Sequence, residues 1–279
     1  MLTRSPFILF VLAGLLGAAV ASAQMYDAKR HPDWSGQWQR IGGVQWDPSK
    51  PLGRGNQPPL TPEYQAVFEA GLADQAAGGH GNDTNYLCLP GGMPRAMTVV
   101  YPMEIIITPA TTYIAIETAS MFRRIYTDGR KWPDFVEPTY LGYSIGKWED
   151  ADANGRFQTL TVETRYMKGP RTFDQSGIPL HKDNQTIVKE RIYLDKSNPE
   201  MLIDEITTID NALTRPWTVT KKYERERNNV VWYFNHCAEN NHHVWIGKEN
   251  YMVSGDGYLM PVKKNQAPPD LRYFGQTQK

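Results

Sequence analysis

Short runs of β-branched and aromatic residues, bounded by turn residues, follow one another from residue 102 onward, a pattern typical of antiparallel strands. Nine strands are predicted, over residues 104–108, 112–118, 122–127, 143–149, 157–166, 186–194, 201–209, 217–223 and 230–235. Pro109 precedes the second run, and Asp128 and Gly129 follow the third. Because consecutive strands joined by short turns pair with their neighbours, and closure removes exposed edges, we expect an all-β fold.

The predicted architecture is an antiparallel meander that closes into a single β-barrel of the lipocalin or calycin type, with a two-sheet sandwich as the alternative. Residues 24–101 are rich in Gly, Pro and Asn and predict an irregular segment that wraps the barrel. One short helix is expected there, because Thr61 can cap it, Pro62 suits its first position, and residues 64–73 can continue it. The barrel domain itself is expected to span 102–279, including a C-terminal tail.

The N-terminus has the pattern of a secretory signal peptide. Arg4 supplies a positive charge, residues 6–20 form an uncharged apolar run, and Ala21, Ser22 and Ala23 form a small-residue cleavage site. We therefore expect residues 1–23 to be removed between Ala23 and Gln24, and the protein to be periplasmic or secreted. An uncleaved anchor is the alternative, although the run is shorter than the ~20 residues that span a bilayer. No transmembrane segment is expected after cleavage.

Charge composition bears on the class of partner. Lys and Arg number 30 against 30 Asp and Glu, and no basic run occurs. Such a chain lacks the positive patch that binds phosphate backbones, so nucleic acid is not expected as a partner. No Gly-rich phosphate loop or dinucleotide fingerprint is present, and no cofactor is predicted. The oligomeric state is not indicated.

Two cysteines, Cys88 and Cys237, are the only ones in the chain. In an exported protein, one disulfide between them is the economical interpretation. A nucleophilic or metal-bound thiolate is the alternative.

Alternation within the predicted strands places aromatic and charged residues on shared faces. Tyr113 and Glu117 alternate with isoleucines, and Phe122, Arg124 and Tyr126 share one face. Two interpretations stay open: a polar, aromatic-lined barrel interior, or a solvated outer face with charge ladders.

Several motifs resemble those of a widespread family of secreted bacterial proteins with no assigned activity. They are DWSGQW at 33–38, CLPGGMPRAM at 88–97, RRIYTDGR at 123–130, LGYSIGKWE at 141–149 and CAENN at 237–241. The resemblance covers nearly the whole chain after the signal and implies fold and export more than activity. Both cysteines fall on its motifs, which further favours the disulfide. The insertion around 151–156 and the pair His242 and His243 depart from the family pattern.

Two local motifs were weighed as catalytic or metal sites. Gly142, Ser144 and Gly146 match the G-x-S-x-G string, but a nucleophile elbow needs a helix after the serine, and the sequence continues as a strand. No metal site is predicted. The alternative is a metal-binding cluster made by His236, His242 and His243 with Cys237, and with His80 as a distant ligand.

The main functional hypothesis is a barrel that binds a small apolar or aromatic molecule in its interior, with acid–base chemistry of an isomerase, lyase or hydrolase as an option. Whether the protein is an enzyme is left open. A histidine beside a carboxylate can move protons near neutral pH, and an arginine can hold a substrate oxygen. The predicted catalytic residues are His181, Glu117, Arg124 and Glu190, and the predicted ligand-binding residues are Arg95, Tyr113, Tyr126, Trp148 and Glu239. The alternative is a non-catalytic envelope protein that docks through its Trp-rich N-terminal segment.

Overall fold

The structure is a computed structural model of the chain and describes residues 28–42, 58–87, 89–228, 231–233, 243–246, 249–253 and 258–268. Within these residues, no helix has the length and hydropathy needed to cross a membrane.

Nine strands form a closed barrel, which confirms the predicted fold class. The strands are β1 (Gln37–Arg40), β2 (Met103–Ile107), β3 (Thr111–Ile116), β4 (Met121–Tyr126), β5 (Tyr143–Glu149), β6 (Thr159–Arg165), β7 (Ile187–Leu194), β8 (Met201–Ile209) and β9 (Trp217–Glu226). Each strand pairs with its sequence neighbours, and β1 closes the ring by pairing with β9. Eight of the predicted runs correspond to β2 through β9, with ends shifted by at most a few residues.

One pair departs from the predicted meander, because β4 and β5 run parallel while the other barrel pairs are antiparallel. A parallel neighbour requires the chain to return to the end at which the first strand began. Residues 127–142 make this return between the two strands. The long turn-rich stretch was predicted as a connection, but strand direction is a tertiary property that its composition did not indicate.

The strand β1 was not predicted, and the predicted strand at 230–235 is not confirmed. Residues 231–233 are not in a strand, and the rest of that run lies outside the described residues. The sequence of β1, Gln-Trp-Gln-Arg, lacks β-branched residues. Its conformation comes from pairing with β9 and β2, which are distant in sequence.

The predicted helix is present as α1 (Pro62–Ala76). Thr61 is its N-cap, and the Thr61 hydroxyl accepts a hydrogen bond from the Tyr64 amide at 3.4 Å. Phe68 is fully buried and anchors the helix to the core. A separate antiparallel sheet is formed by β10 (His243–Ile246), β11 (Glu249–Val253) and β12 (Leu259–Pro261).

The barrel interior is occupied by the protein's own side chains. Fully buried Ile114, Ile125 and Leu160 point inward from three different strands. The residues 91–99, here named the plug segment, are all buried. The plug segment contacts inward-facing side chains: the Tyr223 hydroxyl donates to the Met97 carbonyl, and Arg40 Nε donates to the Val99 carbonyl at 3.2 Å. A ligand in the middle of the barrel would have to displace this core.

Burial also bears on the docking alternative. Trp34 and Trp38 are 1% and 0% exposed, so these two rings do not form a surface for a partner. Trp38 Nε1 instead donates to the Trp34 carbonyl at 3.0 Å. Trp46 lies outside the described residues.

Candidate functional site

An open cleft of about 380 Å³ lies at the seam between β4 and β5. Only Ile125 and Tyr126 of β4 pair with β5, opposite Ser144 and Ile145. β4 begins at Met121, but β5 begins only at Tyr143, one residue before this pairing. The first half of β4 therefore faces the end of the loop 127–142 instead of a full strand. The cleft is lined by Phe122, Arg123, Arg124, Tyr126, Thr139, Leu141, Gly142 and Tyr143.

Two glycines allow the close packing at this seam. Gly142 has a φ of +68°, and a Cβ placed on it would lie 2.5 Å from the Arg165 carbonyl oxygen. A Cβ on Gly146 would lie 2.7 Å from Ile125 Cγ2, across the parallel pair. Between them Ser144 points inward and is 1% exposed, within a strand that continues to Glu149. This arrangement is not a nucleophile elbow, as the sequence context predicts.

Aromatic rings surround the cleft on the outside of the barrel. Tyr126 and Tyr143 pack with ring centroids 4.9 Å apart, and Tyr113 stacks on Phe122 at 5.2 Å. Phe122 is 47% exposed, so part of this aromatic surface is open to solvent. The solvated outer face is therefore the correct interpretation for these strands.

Arg124 is an exposed cation at this surface. It pairs with Tyr113 in the β3–β4 register, which places it among the rings of Phe122 and Tyr126 on the same face. It is exposed, and no hydrogen bond, ion pair or ring contact engages its guanidinium among the described residues. Its basic neighbours are engaged: Arg130 binds Asp128 and lies 3.8 Å from the Tyr126 ring centroid.

Beneath the cleft, Arg123 points into the barrel and is bound on several sides. Its Nη1 donates to Glu190 Oε1 at 2.8 Å, and its Nη2 donates to the other carboxylate oxygen of Glu190. The same Nη2 donates to Thr164 Oγ1 at 3.0 Å. The Ser144 and Thr164 hydroxyls are 2.8 Å apart. Arg123 and Glu190 are both buried, so the pair is a desolvated, bidentate ion pair.

A second carboxyl group, that of Asp204, lies next to this pair. The register sets Asp204 opposite Ile192, two residues from Glu190 on the same inward face. Burial raises the pKa of Asp204 well above its usual value, and the neighbouring Glu190 charge raises it further. Neither Asp204 oxygen has a donor within the described residues. From the raised pKa we expect Asp204 to hold a proton in the folded protein and to donate it to Glu190.

The predicted site residues divide into those near the cleft and those elsewhere. Arg124 and Tyr126 line it, Tyr113 stands beside it, and Glu190 lies behind Arg123. Three others are placed away from the cleft lining, namely His181, Arg95 and Trp148.

His181 lies in the connection before β7, where its Nδ1 is 2.9 Å from Asp183 Oδ2 and its ring packs 5.1 Å from that of Tyr64. Arg95 is in the plug segment and makes a two-pronged contact with Asp83, at 2.5 and 3.1 Å. Trp148 packs 4.9 Å from Trp34 at the inner face of the barrel. These contacts account structurally for all three side chains.

Glu117 occupies a different surface depression, described further below. Cys88, Cys237, Glu239, His236 and His242 lie outside the described residues, so the disulfide and the metal alternative are not addressed by the structure. His243 begins β10, with its Nδ1 near the Asn250 side chain. The described residues contain no group of three His, Cys, Asp or Glu side chains able to hold a metal.

Sequence reasoning missed Arg123 and Asp204. The period of two residues along a strand indicated both. Arg123 lies two residues from Met121 and from Ile125 in β4, and Asp204 lies two residues from Leu202 and from Ile206 in β8, so each shares a face with apolar residues. An ionisable residue flanked in this way by inward-facing aliphatic residues is itself predicted to point inward.

No family model and no curated protein sequence matches this chain. The resemblance to secreted bacterial proteins therefore stays a prediction, and function is argued from the site alone.

Proposed function

We propose that the protein binds a small aromatic molecule carrying a negative charge, in the cleft at the β4–β5 seam. The observation that carries the proposal is the exposed guanidinium of Arg124 between aromatic rings, which no other residue in the described part of the chain engages. A carboxylate or sulfonate would pair with this guanidinium, and an aromatic body would stack on Tyr126 or Phe122. This proposal moves the ligand from the barrel interior, which the core occupies, to the wall of the barrel.

Binding is proposed without catalysis. Glu190 contacts the cleft-lining residue Arg123, but Arg123 holds both of its carboxylate oxygens. A general base must reach the proton that it removes, and Glu190 has no such access. The N-terminal pattern at residues 1–23 supports a further proposal, that binding takes place in the periplasm or outside the cell.

The test is titration of 2-naphthoate by isothermal calorimetry into wild type and into Arg124→Gln. We expect Arg124→Gln to weaken binding by about 10-fold or more, because one charge-assisted pair contributes about 1.5–3 kcal/mol. The neutral analogue 2-naphthamide should bind both proteins weakly and nearly equally.

Arg191→Gln is the matched control, since Arg191 is an exposed arginine on the outer face of β7 that pairs with Glu205 at 2.8 Å. It should bind 2-naphthoate as wild type does. The proposal is wrong if wild type does not bind 2-naphthoate, or if Arg124→Gln and Arg191→Gln bind it equally well.

A further inference from the structure

A second open depression, of about 480 Å³, lies beside β1 at the place where the barrel closes. Its walls come from β1, β9 and the connections that flank β2 and β3. Gln37, Gln39 and Glu226 contribute from the strands, and Tyr101, Glu117 and Tyr233 contribute from outside them. None of the described residues that line it is basic.

Acidic side chains are concentrated around this depression by strand register. Gln37 of β1 is paired with Glu226 of β9 on one side and with Glu104 of β2 on the other. Gln39 of β1 is paired with Glu224 of β9. Gln37 Nε2 donates to Glu104 Oε1 at 3.0 Å, so an amide rather than a cation separates these carboxylates.

Glu117 is the most deeply placed carboxyl group in the depression, at 5% exposure. It follows β3 and occupies the first position of the turn that leads into β4, where its side chain makes no capping hydrogen bond. Burial raises the pKa of Glu117, and a hydrogen bond from the Tyr233 amide acts in the opposite direction. A positive ligand would stabilise the ionised form that burial disfavours.

The rim is aromatic and accessible. Tyr101 is 39% exposed and Tyr233 is 66% exposed, and the exposed side chain of Val231 extends the apolar part. Exposed tyrosine faces beside a partly desolvated carboxylate are the features by which proteins bind alkylammonium groups. An anion would meet several glutamates here, and no basic residue among the described lining residues offsets their repulsion.

We infer that this depression is a binding site for an organic ammonium ion. The carboxylate of Glu117 and the surrounding glutamates supply charge, and Tyr101 and Tyr233 supply ring faces. This site shares no lining residue with the β4–β5 cleft, and it prefers a cation where the cleft prefers an anion. The inference is therefore independent of the function proposed above.

The experiment measures binding of choline to the whole protein by NMR titration, alongside its neutral carbon isostere 3,3-dimethyl-1-butanol. We expect choline to bind with a Kd below about 10 mM, and the isostere to bind at least about 10-fold more weakly. Glu117→Gln preserves shape and hydrogen bonding while removing charge, and should weaken choline binding about 10-fold. Tyr233→Leu keeps an apolar side chain but removes the ring, and should weaken it several-fold.

Glu163→Gln makes the same charge change on the outer face of β6, on the opposite wall of the barrel, and should leave choline binding unchanged. A lysine side chain of a partner protein carries related chemistry. Nα-acetyl-lysine methylamide is therefore titrated as well, and tighter binding than choline would assign the site to a primary ammonium. The inference is overturned if choline and its isostere bind equally, if neither ammonium compound binds, or if Glu163→Gln reduces binding as much as Glu117→Gln does.

Discussion

At the scale of single residues, the unusual feature of this barrel is the charge inside it. Arg123 and Glu190 meet as a bidentate pair in the interior, and Asp204 lies next to them with no hydrogen-bond donor among the residues that the structure describes. Lys221 and Tyr223 face the same interior from β9, with Lys221 opposite Asp204 in the register. Burial and the neighbouring Glu190 charge both raise the pKa of Asp204 above its usual value.

Asp204→Asn should change how stability depends on pH. Above the ordinary Asp pKa of 3.8, the folded protein keeps a proton on Asp204 that the unfolded chain releases, because burial and Glu190 raise the folded pKa. The free energy of unfolding therefore decreases as pH rises from that value through the folded pKa. Asn cannot ionise, so the stability of Asp204→Asn relative to wild type should increase with pH. Urea unfolding at about pH 4 and about pH 8 measures this difference.

The control is Asp152→Asn, which changes an exposed aspartate in the connection between β5 and β6. Its stability relative to wild type should hardly change between the two pH values. A stability difference for Asp204→Asn that is the same at both pH values would contradict a protonated Asp204. If Asp204→Asn is less stable than wild type at about pH 8 but not at about pH 4, Asp204 is instead ionised and paired with Lys221.

At the scale of elements, the parallel pair β4–β5 creates the proposed binding cleft. A full antiparallel partner would cover the first half of β4, whereas β5 meets only Ile125 and Tyr126. The sharp entry into β5 depends on Gly142, which has a positive φ and packs against the Arg165 carbonyl.

Gly142→Ala should destabilise the protein more than Gly129→Ala. Gly129 also has a positive φ, +77°, but a Cβ there would have nothing within 4 Å. Gly129→Ala should therefore lower the free energy of unfolding by about 1–2 kcal/mol, from backbone strain alone. Gly142→Ala adds a clash with the Arg165 carbonyl and should cost about 2–3 kcal/mol more. Chemical denaturation of both variants compares them, and equal losses would show that the seam tolerates a side chain.

At the scale of the whole molecule, closure of the barrel depends on segments far apart in sequence. Strand β1 joins β9 to β2, and the plug segment fills the interior beside Tyr223 and Arg40. The plug segment begins three residues after Cys88, and Cys237 follows β9 in the chain. The predicted disulfide would link these two parts covalently.

Thiol titration under denaturing, non-reducing conditions should find about zero free thiols in protein recovered from its exported form. Closing a loop of about 150 residues would restrict the unfolded chain and contribute roughly 4–5 kcal/mol, before any strain. Reduction should therefore lower the Tm, and the Cys88→Ser variant should show the same loss without reductant. Two free thiols, or an unchanged Tm after reduction, would contradict the disulfide and favour the thiolate alternatives.

The sequence by itself indicated eight of the nine barrel strands and the start of the helix. Alternation and turn residues are local signals, and they placed β5 and β8 to the residue, while Thr61 and Pro62 marked the start of α1. Only the tertiary structure decided the direction of β5, the recruitment of β1 and the filling of the interior. These depend on contacts between residues distant in the chain, and a polar four-residue run such as β1 has no local preference that would reveal its partners. The cleft is a product of that same long-range pairing, so the sequence could put Arg124 and Tyr126 on one face of a strand but could not indicate the cleft beside them.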